Sequence, residues 1–240
     1  MKNSSVFLSI LATICSFSSC MDDGVTCLRV SDRIITQERT IGGFNQIIIT
    51  GTGNVVITQG SDFAFRATGP DNVLDALTAD VFSQQLVIGF NECFSSSYDL
   101  NIEITMPEVV EIYMVDGVGT INSSDTLYCN DLAVKFSGFG SMDLKVVAEN
   151  IETQASGIGQ LRFGGSCKSH TVASSAEVEI RAFDLQVQEY DITILRSADH
   201  YVSVENKLKA LITGTGNVYY RGDPIVERSG GGAGQVIAAD

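Results

Sequence analysis

Apolar and polar residues alternate in short runs along most of the chain, and small glycine-containing turns separate these runs. Alternation with a period of two predicts β-strands that bury one face. One turn, Gly51-Thr52-Gly53-Asn54-Val55, recurs unchanged as Gly214-Thr215-Gly216-Asn217-Val218, and both copies follow an apolar strand. Because a turn of fixed shape selects the same residues each time, this identity indicates a repeated structural unit.

Weaker copies of the turn lie between the two identical ones. Glycine pairs open at residues 117, 138 and 157, and degenerate copies are predicted at 174–176 and 198–200. From residue 117 to residue 214 the turns recur about every 19 residues. Glycine on both sides of a single residue is predicted to allow positive φ at both flanks of a sharp corner. The predicted structural turn residues are Gly51, Gly53, Gly117, Gly119, Gly138, Gly140, Gly157, Gly159, Gly214 and Gly216.

A short period with one turn per repeat predicts an all-β solenoid, because the chain lacks the helical segments that other repeat folds require. We expect a single-stranded parallel β-helix of roughly eight or more coils, each paired with the next at ~4.8 Å. Strands are predicted at 63–67, 85–90 and 100–105, with a polar loop at 91–99. A helix at 71–77 and the C-terminal tail are expected to cover the open ends of the stack. The predicted inward ladder residues are Ile121, Leu132, Val134, Met142, Leu144, Leu161, Phe163, Val178, Ile180, Val202, Val204 and Val218.

The N-terminal residues have the pattern of an export signal. Lys2 precedes an apolar run that is too short to span a bilayer, and the run closes on Phe17-Ser18-Ser19-Cys20, which resembles a bacterial lipobox. We therefore expect a lipoprotein signal peptide at 1–19, a lipidated Cys20 with a tether at 20–37, and one β-helix domain at 38–240. The alternative is an ordinary secretory signal cleaved nearby. Met21-Asp22-Asp23 resembles a surface-export signal, although a plain flexible tether has the same composition.

Four cysteines remain outside the signal: Cys27, Cys93, Cys129 and Cys167. An exported protein enters a compartment that permits disulfides. Cys129 and Cys167 are two repeat lengths apart, which places equivalent positions ~9–10 Å from each other. Bridged Cα atoms lie closer than about 7 Å, so these two are predicted not to pair. A bond between Cys27 and Cys93 stays open.

The charge balance excludes one class of partner. Lys and Arg number 15 against 29 Asp and Glu, for a formal net charge of −14. Such a surface repels phosphate backbones, so nucleic acid is not expected as a partner. No spacing of cysteine or histidine matches a metal site, and no cofactor motif occurs, so neither a metal nor a cofactor is expected.

Three sequence blocks together resemble the GIN-domain family of Bacteroidetes lipoproteins, whose members are described as auto-transporter adhesin heads. The blocks are Arg39 to Ile47 with the first GTGNV turn, Ile104 to Ile112 leading into Gly117, and Thr213 to Gly222 followed by Asp223-Pro224. They span residues 38–225, and the glycines lost at 174–176 are a departure from the pattern. The resemblance implies a right-handed β-helix, no recognised catalytic set and a role in adhesion at the cell surface.

Candidate chemistry is sparse. Ser197, Asp199 and His200 lie together, but neighbouring strand residues point to opposite faces, so no catalytic triad is predicted. His170 stands in a polar stretch and is interpreted as a solvated turn residue. The Gly-x-Gly corners lack the lysine and the following helix of a phosphate loop. We therefore expect no catalytic residue and no enzyme activity.

Two further patterns are weighed against simpler explanations. Arg221-Gly222-Asp223 is the integrin-binding tripeptide, but the family pattern explains Gly222 as a turn residue. A polysaccharide lyase needs clustered carboxylates beside a basic residue. Such carboxylates are available on neighbouring coils, and solvated outer-face positions explain them better. They are Asp116, Asp143, Glu177 and Glu179.

The sequence favours a non-enzymatic adhesin, anchored through Cys20 in the outer membrane, that binds a glycan or protein ligand on its outer faces. The alternatives are a structural or assembly component that binds another protein, and a carbohydrate-active enzyme. Tyr219 and Tyr220 aligned with Tyr201 would favour carbohydrate binding, and an exposed apolar face would favour protein association. The sequence determines neither the ligand nor the oligomeric state.

Overall fold

A computed structural model describes residues 27–239, which form a stack of β-coils with a single short helix, α1 (Asp71–Ala76). The predicted signal segment and Cys20 lie outside the described residues. No helix within residues 27–239 is long and apolar enough to cross a membrane. The described strands are β1 (Ile34–Arg39), β2 (Gln46–Gln59), β3 (Ala64–Pro70), β4 (Leu77–Phe82), β5 (Gln85–Phe90), β6 (Asn101–Met106), β7 (Glu111–Ser123), β8 (Leu127–Tyr128), β9 (Asp131–Phe136), β10 (Phe139–Ala155), β11 (Ile158–Ser174), β12 (Glu177–Ile194), β13 (His200–Ile212), β14 (Val218–Arg221), β15 (Ile225–Ser229) and β16 (Val236–Ala238).

From β7 onward the strands pair in parallel with the next coil, and equivalent residues form straight rows. Met142 pairs with Leu161, Leu161 with Ile180, and Ile180 with His200. The predicted parallel β-solenoid with roughly 19-residue coils is confirmed, with about seven turns rather than eight or more. All twelve predicted ladder residues are buried, each at most 1% exposed. Stacked apolar rows of this kind supply the hydrophobic stabilisation of the fold.

The N-terminal third departs from sequential stacking. The first half of β2 lies between β5 and β7, and its second half lies between β6 and β7, so β2 is inserted between two later segments. Strand β3 then pairs antiparallel with β6, and β1 pairs antiparallel with β3. The predicted strands at 63–67, 85–90 and 100–105 correspond to β3, β5 and β6. An antiparallel layer together with α1 therefore covers this end of the stack.

Two boundaries differ from the prediction. Ordered structure begins before residue 38: Cys27 is bonded to Cys93, with Cα atoms 4.7 Å apart, and β1 starts at Ile34. The sequence of β1 did not indicate a strand, because its residues are mostly polar and only alternate ones are partly buried. The C-terminal tail does not fold across the end of the stack. It adds β15 and β16 in parallel to β13 and β14, so it extends the solenoid.

The glycine corners require glycine for two separate reasons. The second glycine of three turns has positive φ: +147° at Gly119, +136° at Gly140 and +151° at Gly159. The first glycine of each of these turns has no positive φ, so the prediction of positive φ on both flanks is wrong. A Cβ at Gly117 would lie 2.6 Å from the carbonyl oxygen of Gly51, so the first position needs the space instead.

The two GTGNV copies occupy equivalent corners but differ in backbone. Gly51 has φ +123°, whereas Gly53, Gly214 and Gly216 have no positive φ. A Cβ at Gly214 or Gly216 would overlap a carbonyl oxygen of the preceding coil, at Arg196 and Ala198 respectively. At the C-terminal copy of the turn, glycine is therefore required because a Cβ has no space, and not because of the backbone conformation.

Two degenerate corners lie two residues away from their predicted places. Gly159 pairs with Val178, so the corner after Gly159 is Ala176-Glu177-Val178 rather than 174–176. The corner below Gly214 and Gly216 is Arg196-Ser197-Ala198 rather than 198–200. The prediction placed both corners by searching for small residues. This search fails after Gly159, because the equivalent position in the next coil no longer has positive φ and is occupied by Val178.

The core contains polar groups that the sequence pattern did not reveal. His170 is fully buried between Phe163 and Tyr190, with its Nε2 2.8 Å from the Thr153 hydroxyl, so its interpretation as a solvated turn residue is wrong. His200 is equally buried. Burial lowers the pKa of both imidazoles to about 3, and for His170 the proximity of His200 adds to this effect. Both histidines are therefore neutral in the folded protein at neutral pH.

Cys129 and Cys167 are unpaired, as predicted from their separation by two coils. Burial raises the pKa of the Cys129 thiol to about 11, with a further contribution from Glu108, and burial alone raises that of Cys167 to about 12. Both side chains are consequently protonated at neutral pH and behave as small apolar groups.

Candidate functional site

One outward-facing row of side chains changes character along the stack. Asp143 pairs with Arg162, Arg162 with Arg181, Arg181 with Tyr201 and Tyr201 with Tyr219, on successive coils. Parallel pairing places these side chains ~4.8 Å apart on one face. The row therefore presents two arginines and then two tyrosines, next to each other.

A bulge in β12 places an aromatic ring beside this row. The register between β12 and β13 shifts between Ala182 and Gln186, which leaves Phe183, Asp184 and Leu185 without partners on β13. The hydroxyl of Ser203 donates to the carbonyl oxygen of Phe183 at 2.7 Å and holds the bulge in place. The Phe183 ring lies edge-to-face with Tyr201, with centroids 5.5 Å apart.

Arg221, at the end of β14, closes the site. Its guanidinium carbon lies 4.1 Å from the centroid of Phe183, a cation–π contact that fixes the position of the planar group. The open groove formed here has a volume of about 450 Å³, within the range of small-ligand sites. It is lined by Arg162, Arg181, Phe183, Asp184, Tyr201 and Arg221, and Tyr219 lies next to this lining, stacked on Tyr201. We call it the arginine–tyrosine groove.

The three arginines differ in how their charges are compensated. Arg162 lies 3.5 Å from Asp143, and Arg181 forms an ion pair with Glu179. Arg221 has no ion pair with any residue in the described range 27–239. The groove therefore contains one cation whose charge is free to attract a ligand.

The tyrosines contribute hydrogen-bonding groups rather than open ring faces. Tyr201 and Tyr219 are stacked, with centroids 5.1 Å apart and planes inclined by 11°, so each ring covers one face of the other. The pKa of Tyr201 is raised, first by burial and then by Asp199 and Glu179, so its hydroxyl stays protonated. Tyr220 is not in this row: it pairs with Val202 and packs against the core. The expected alignment holds for Tyr219 alone.

Two other surface features are less specific. A second surface cavity, about 580 Å³, has a lining that includes Glu108, Asp131 and Glu149 together with Cys129. No group of ligating side chains within residues 27–239 is arranged to hold a metal ion. This cavity combines like charges with an unreactive thiol, and its lining gives no reason to expect a particular ligand.

A short apolar row lies at the corners. Val118, Phe139 and Ile158, the middle residues of three Gly-x-Gly turns, pair on successive coils and are 50%, 53% and 51% exposed. Their backbone position directs them outward, away from the packed glycines. Exposed apolar residues in a continuous row are typical of protein contact surfaces.

The residues considered for catalysis do not form a catalytic site. His200 faces the core, whereas Asp199 accepts hydrogen bonds from the backbone and side-chain amides of Asn217 at 2.7 and 3.2 Å. Asp143 and Glu179 are each paired with an arginine of the groove. The sequence pattern indicated Asp143 and Glu179 as candidate carboxylates, but it did not indicate the arginines that pair with them. The 19-residue period applied to charged positions would have placed Arg162 next to Arg181.

The integrin-type tripeptide is part of the groove and of a corner. Arg221 rests on Phe183, and Gly222 has φ +102° with no room for a Cβ below the carbonyl oxygen of Val204. The corner requirement explains Gly222, in agreement with the turn interpretation.

The fold is a β-helical scaffold with an open groove on an outer face. The family model described as "Putative auto-transporter adhesin, head GIN domain" matches residues 43–224, so the chain belongs to this family. The resemblance carried by the three sequence blocks is confirmed.

Solved structures share the fold. A crystal structure described as a putative adhesin from Bacteroides fragilis has 22% identity and a TM-score of 0.84, and the match covers 88% of this chain and all of that chain. A putative adhesin from Parabacteroides merdae has 19% identity and a TM-score of 0.68 over 89% of this chain and 99% of that one. A protein from Parabacteroides distasonis described as a putative lipid binding protein has 21% identity, a TM-score of 0.68 and the same coverage. None of the curated proteins compared with the chain matches it in sequence.

Proposed function

We propose that this protein is a non-enzymatic, adhesin-type component of the cell envelope that binds a surface ligand through the arginine–tyrosine groove. Membership of the adhesin-head family supports the adhesin-like role. The observation that carries the choice of site is Arg221, a cation held over the Phe183 ring and not paired with an acid in the described part of the chain. The rigid β-helix holds these side chains in place before a ligand arrives, which lowers the entropy cost of binding.

The proposal includes display on the outer membrane. Lipidation at Cys20 would anchor the protein, and the residues that follow would hold the β-helix away from the lipid surface. Metabolic labelling with a palmitate analogue tests the anchor: the protein takes up label and sediments with membranes, whereas the Cys20→Ala variant does neither. Protease accessibility on intact cells then distinguishes the outer from the inner leaflet.

Adhesion itself is tested with the 21–240 chain coupled to beads and applied to epithelial and mucin-coated surfaces. We expect retention of the beads to fall at least about tenfold with Arg221→Gln combined with Tyr219→Ala, since the pair removes the free cation and one ring. Arg66→Gln is the matched control for charge, because Arg66 is exposed and paired with Glu103 far from the groove. Circular dichroism verifies that each variant is folded. Equal retention of all the variants would contradict the proposal.

The apolar row supports a second candidate, in which the protein is an assembly component that binds another envelope protein. Here Phe139, about half exposed in the centre of the row, is the anchor. Phe139→Glu would then dissociate a complex that native gels of detergent-extracted envelopes resolve for the wild type. A wild-type protein that migrates at the size of its own chain would exclude this candidate.

A further inference from the structure

We infer that the ligand of the arginine–tyrosine groove is a short glycan that carries an acidic sugar, with its carboxylate or sulfate group bound to Arg221. This inference rests on the proposed function, since it assumes that the groove is the binding site. It specifies the chemical class of the ligand, which neither the family nor the related structures define.

The first argument is the local charge. The chain has a net charge of −14, yet three of its 15 basic residues line this one groove. Two of them are neutralised by Asp143 and Glu179, and Arg221 is not. A cation–π contact leaves the N–H donors of a guanidinium without an acceptor, and those donors match the two oxygens of a carboxylate. Arg221 is thus arranged for one anionic group.

The second argument is the type of hydrogen-bonding group. Guanidinium groups are donors only, and protonated phenols donate as well as accept. The raised pKa of Tyr201 keeps its hydroxyl protonated, and Asp184 is the one acidic side chain in the lining. Such a surface complements a ligand rich in acceptor oxygens, and the Phe183 ring provides apolar area for a C–H face. An acidic sugar offers both.

The third argument concerns the alternatives. Strand β13 is paired with β12 on one side and with β14 on the other, so the groove has no free strand edge to which a peptide could add. A long polyanion would extend beyond the groove over a protein whose net charge is −14, which disfavours its binding. The geometry therefore favours a short glycan over an extended peptide, a nucleic acid or a polyanionic chain.

The test uses the 21–240 chain and ligands that share one neutral backbone: lactose, sialyllactose and sulfated lactose. Trigalacturonate and its methyl ester form a second matched pair, and an acetylated tetraglutamate peptide represents acidic peptides. Affinities are measured by calorimetry for the wild type, Arg221→Gln, Tyr219→Phe and the control Arg66→Gln. Arg221→Gln and Arg66→Gln change the net charge equally, so any difference between them is local.

We expect at least one acidic glycan to bind about tenfold or more tightly than its neutral counterpart. Arg221→Gln should abolish this preference, Tyr219→Phe should weaken binding by about threefold, and Arg66→Gln should leave it unchanged. Binding by sialyllactose or trigalacturonate identifies the carboxylate, and binding by sulfated lactose alone identifies the sulfate ester.

Three results would overturn the inference. Equal binding of neutral and acidic glycans, with loss in a Tyr219→Ala variant only, would retain the groove as the site but reject the acidic sugar. Equal or tighter binding of tetraglutamate would reject the glycan. Absence of any binding would reject the ligand class, while the bead-adhesion assay decides separately whether the groove mediates attachment.

Discussion

The two ends of the β-helix solve the same problem in different ways. At the N-terminal end, an antiparallel pair of strands, α1 and the Cys27–Cys93 bond cover the first coil. Arg39 secures this cap by donating to the carbonyl oxygens of Leu77 and Leu74 at 2.8 and 2.9 Å. At the C-terminal end, the stack continues into β15, of which every residue is exposed.

At the C-terminal end of the described residues, one arginine side chain takes the place of a cap. Arg228 donates to the carbonyl oxygens of Gly230, Gly232 and Gly234, at 3.4, 2.8 and 2.8 Å. The cap therefore joins segments that are distant in sequence. The last coil, in contrast, is held by the coil before it and by local hydrogen bonds. Stability should therefore be highest in the middle of the stack and lowest at its C-terminal end.

The largest effect is expected from a substitution in the middle of the stack. Gly140→Ala adds a methyl group at φ +136°, where it would overlap the carbonyl oxygen of Gly119. We expect a loss of about 4 kcal/mol or more in the free energy of unfolding, or no folded protein. Gly231→Ala is the control, because a Cβ there meets nothing within 4 Å. Urea unfolding measures both, and similar stabilities would contradict the steric account.

Acidification should destabilise the regular stack. Both histidines have folded pKa values of about 3 against 6.5 in the unfolded chain, so the unfolded state binds more protons below pH 6.5. Their contribution is complete above pH 6.5 and is lost as the pH falls toward 3, by roughly 3 kcal/mol per histidine at pH 4.

His200→Ile isolates this effect from the titration of carboxylates. Ile matches the row, which contains Ile180 and Val218 on either side, and neither ring nitrogen of His200 has a partner among the described residues. We expect stability at pH 7 to be unchanged or about 1 kcal/mol higher, and the loss between pH 7 and pH 4 to be clearly smaller than in the wild type. An identical pH dependence in thermal melts would refute the assignment.

Removal of the disulfide should affect the cap alone. The bond joins residues 66 positions apart and ties the segment before β1 to the loop after β5. We expect the double substitution Cys27→Ser and Cys93→Ser to lower the free energy of unfolding of the cap by about 2 kcal/mol. Hydrogen exchange should accelerate in β1 and the 91–99 loop and stay unchanged in β10 to β12. Faster exchange throughout the molecule would show that the cap and the stack unfold together.

The smallest effect is expected at the C-terminal end. Arg228→Gln removes the three hydrogen bonds to carbonyl oxygens, and we expect it to lower the free energy of unfolding of the last coil by about 1 kcal/mol. Amide exchange in β15 and β16 should rise while that of β12 remains slow. Lys209→Gln, on the adjacent strand, provides a control of equal charge, since its ion pair with Asp191 is exposed at 4.0 Å.

The inner rows could be predicted from the sequence because burial follows alternation and the repeat length. Val178 and Val218 were assigned correctly even where the turn motif had decayed or changed its backbone. His170 could not be assigned from its polar neighbours. The repeat length would have placed it correctly, since its partners on adjacent coils are Ile151 and Tyr190.

The groove could be predicted only in part. Tyr201 and Tyr219 follow from the period, but Phe183 reaches the surface through a bulge, and a register shift leaves no mark in an alternating pattern. The insertion of β2 between β6 and β7 was likewise hidden. Strand residues specify which face is buried, and they carry little information about which coil comes next.

The insertion of β2 has a consequence for the order in which the molecule can assemble. A chain that emerges amino terminus first delivers β2 before either of its neighbours, and residues 107–110 must then cross over it to begin β7. The first coil therefore cannot be completed until at least residue 123 is available, and the pairings that close it are distant in sequence. The later coils pair only with their immediate predecessors and can add one at a time. We therefore expect closure of the first coil to be the slow step of assembly, with the later coils adding to it in order.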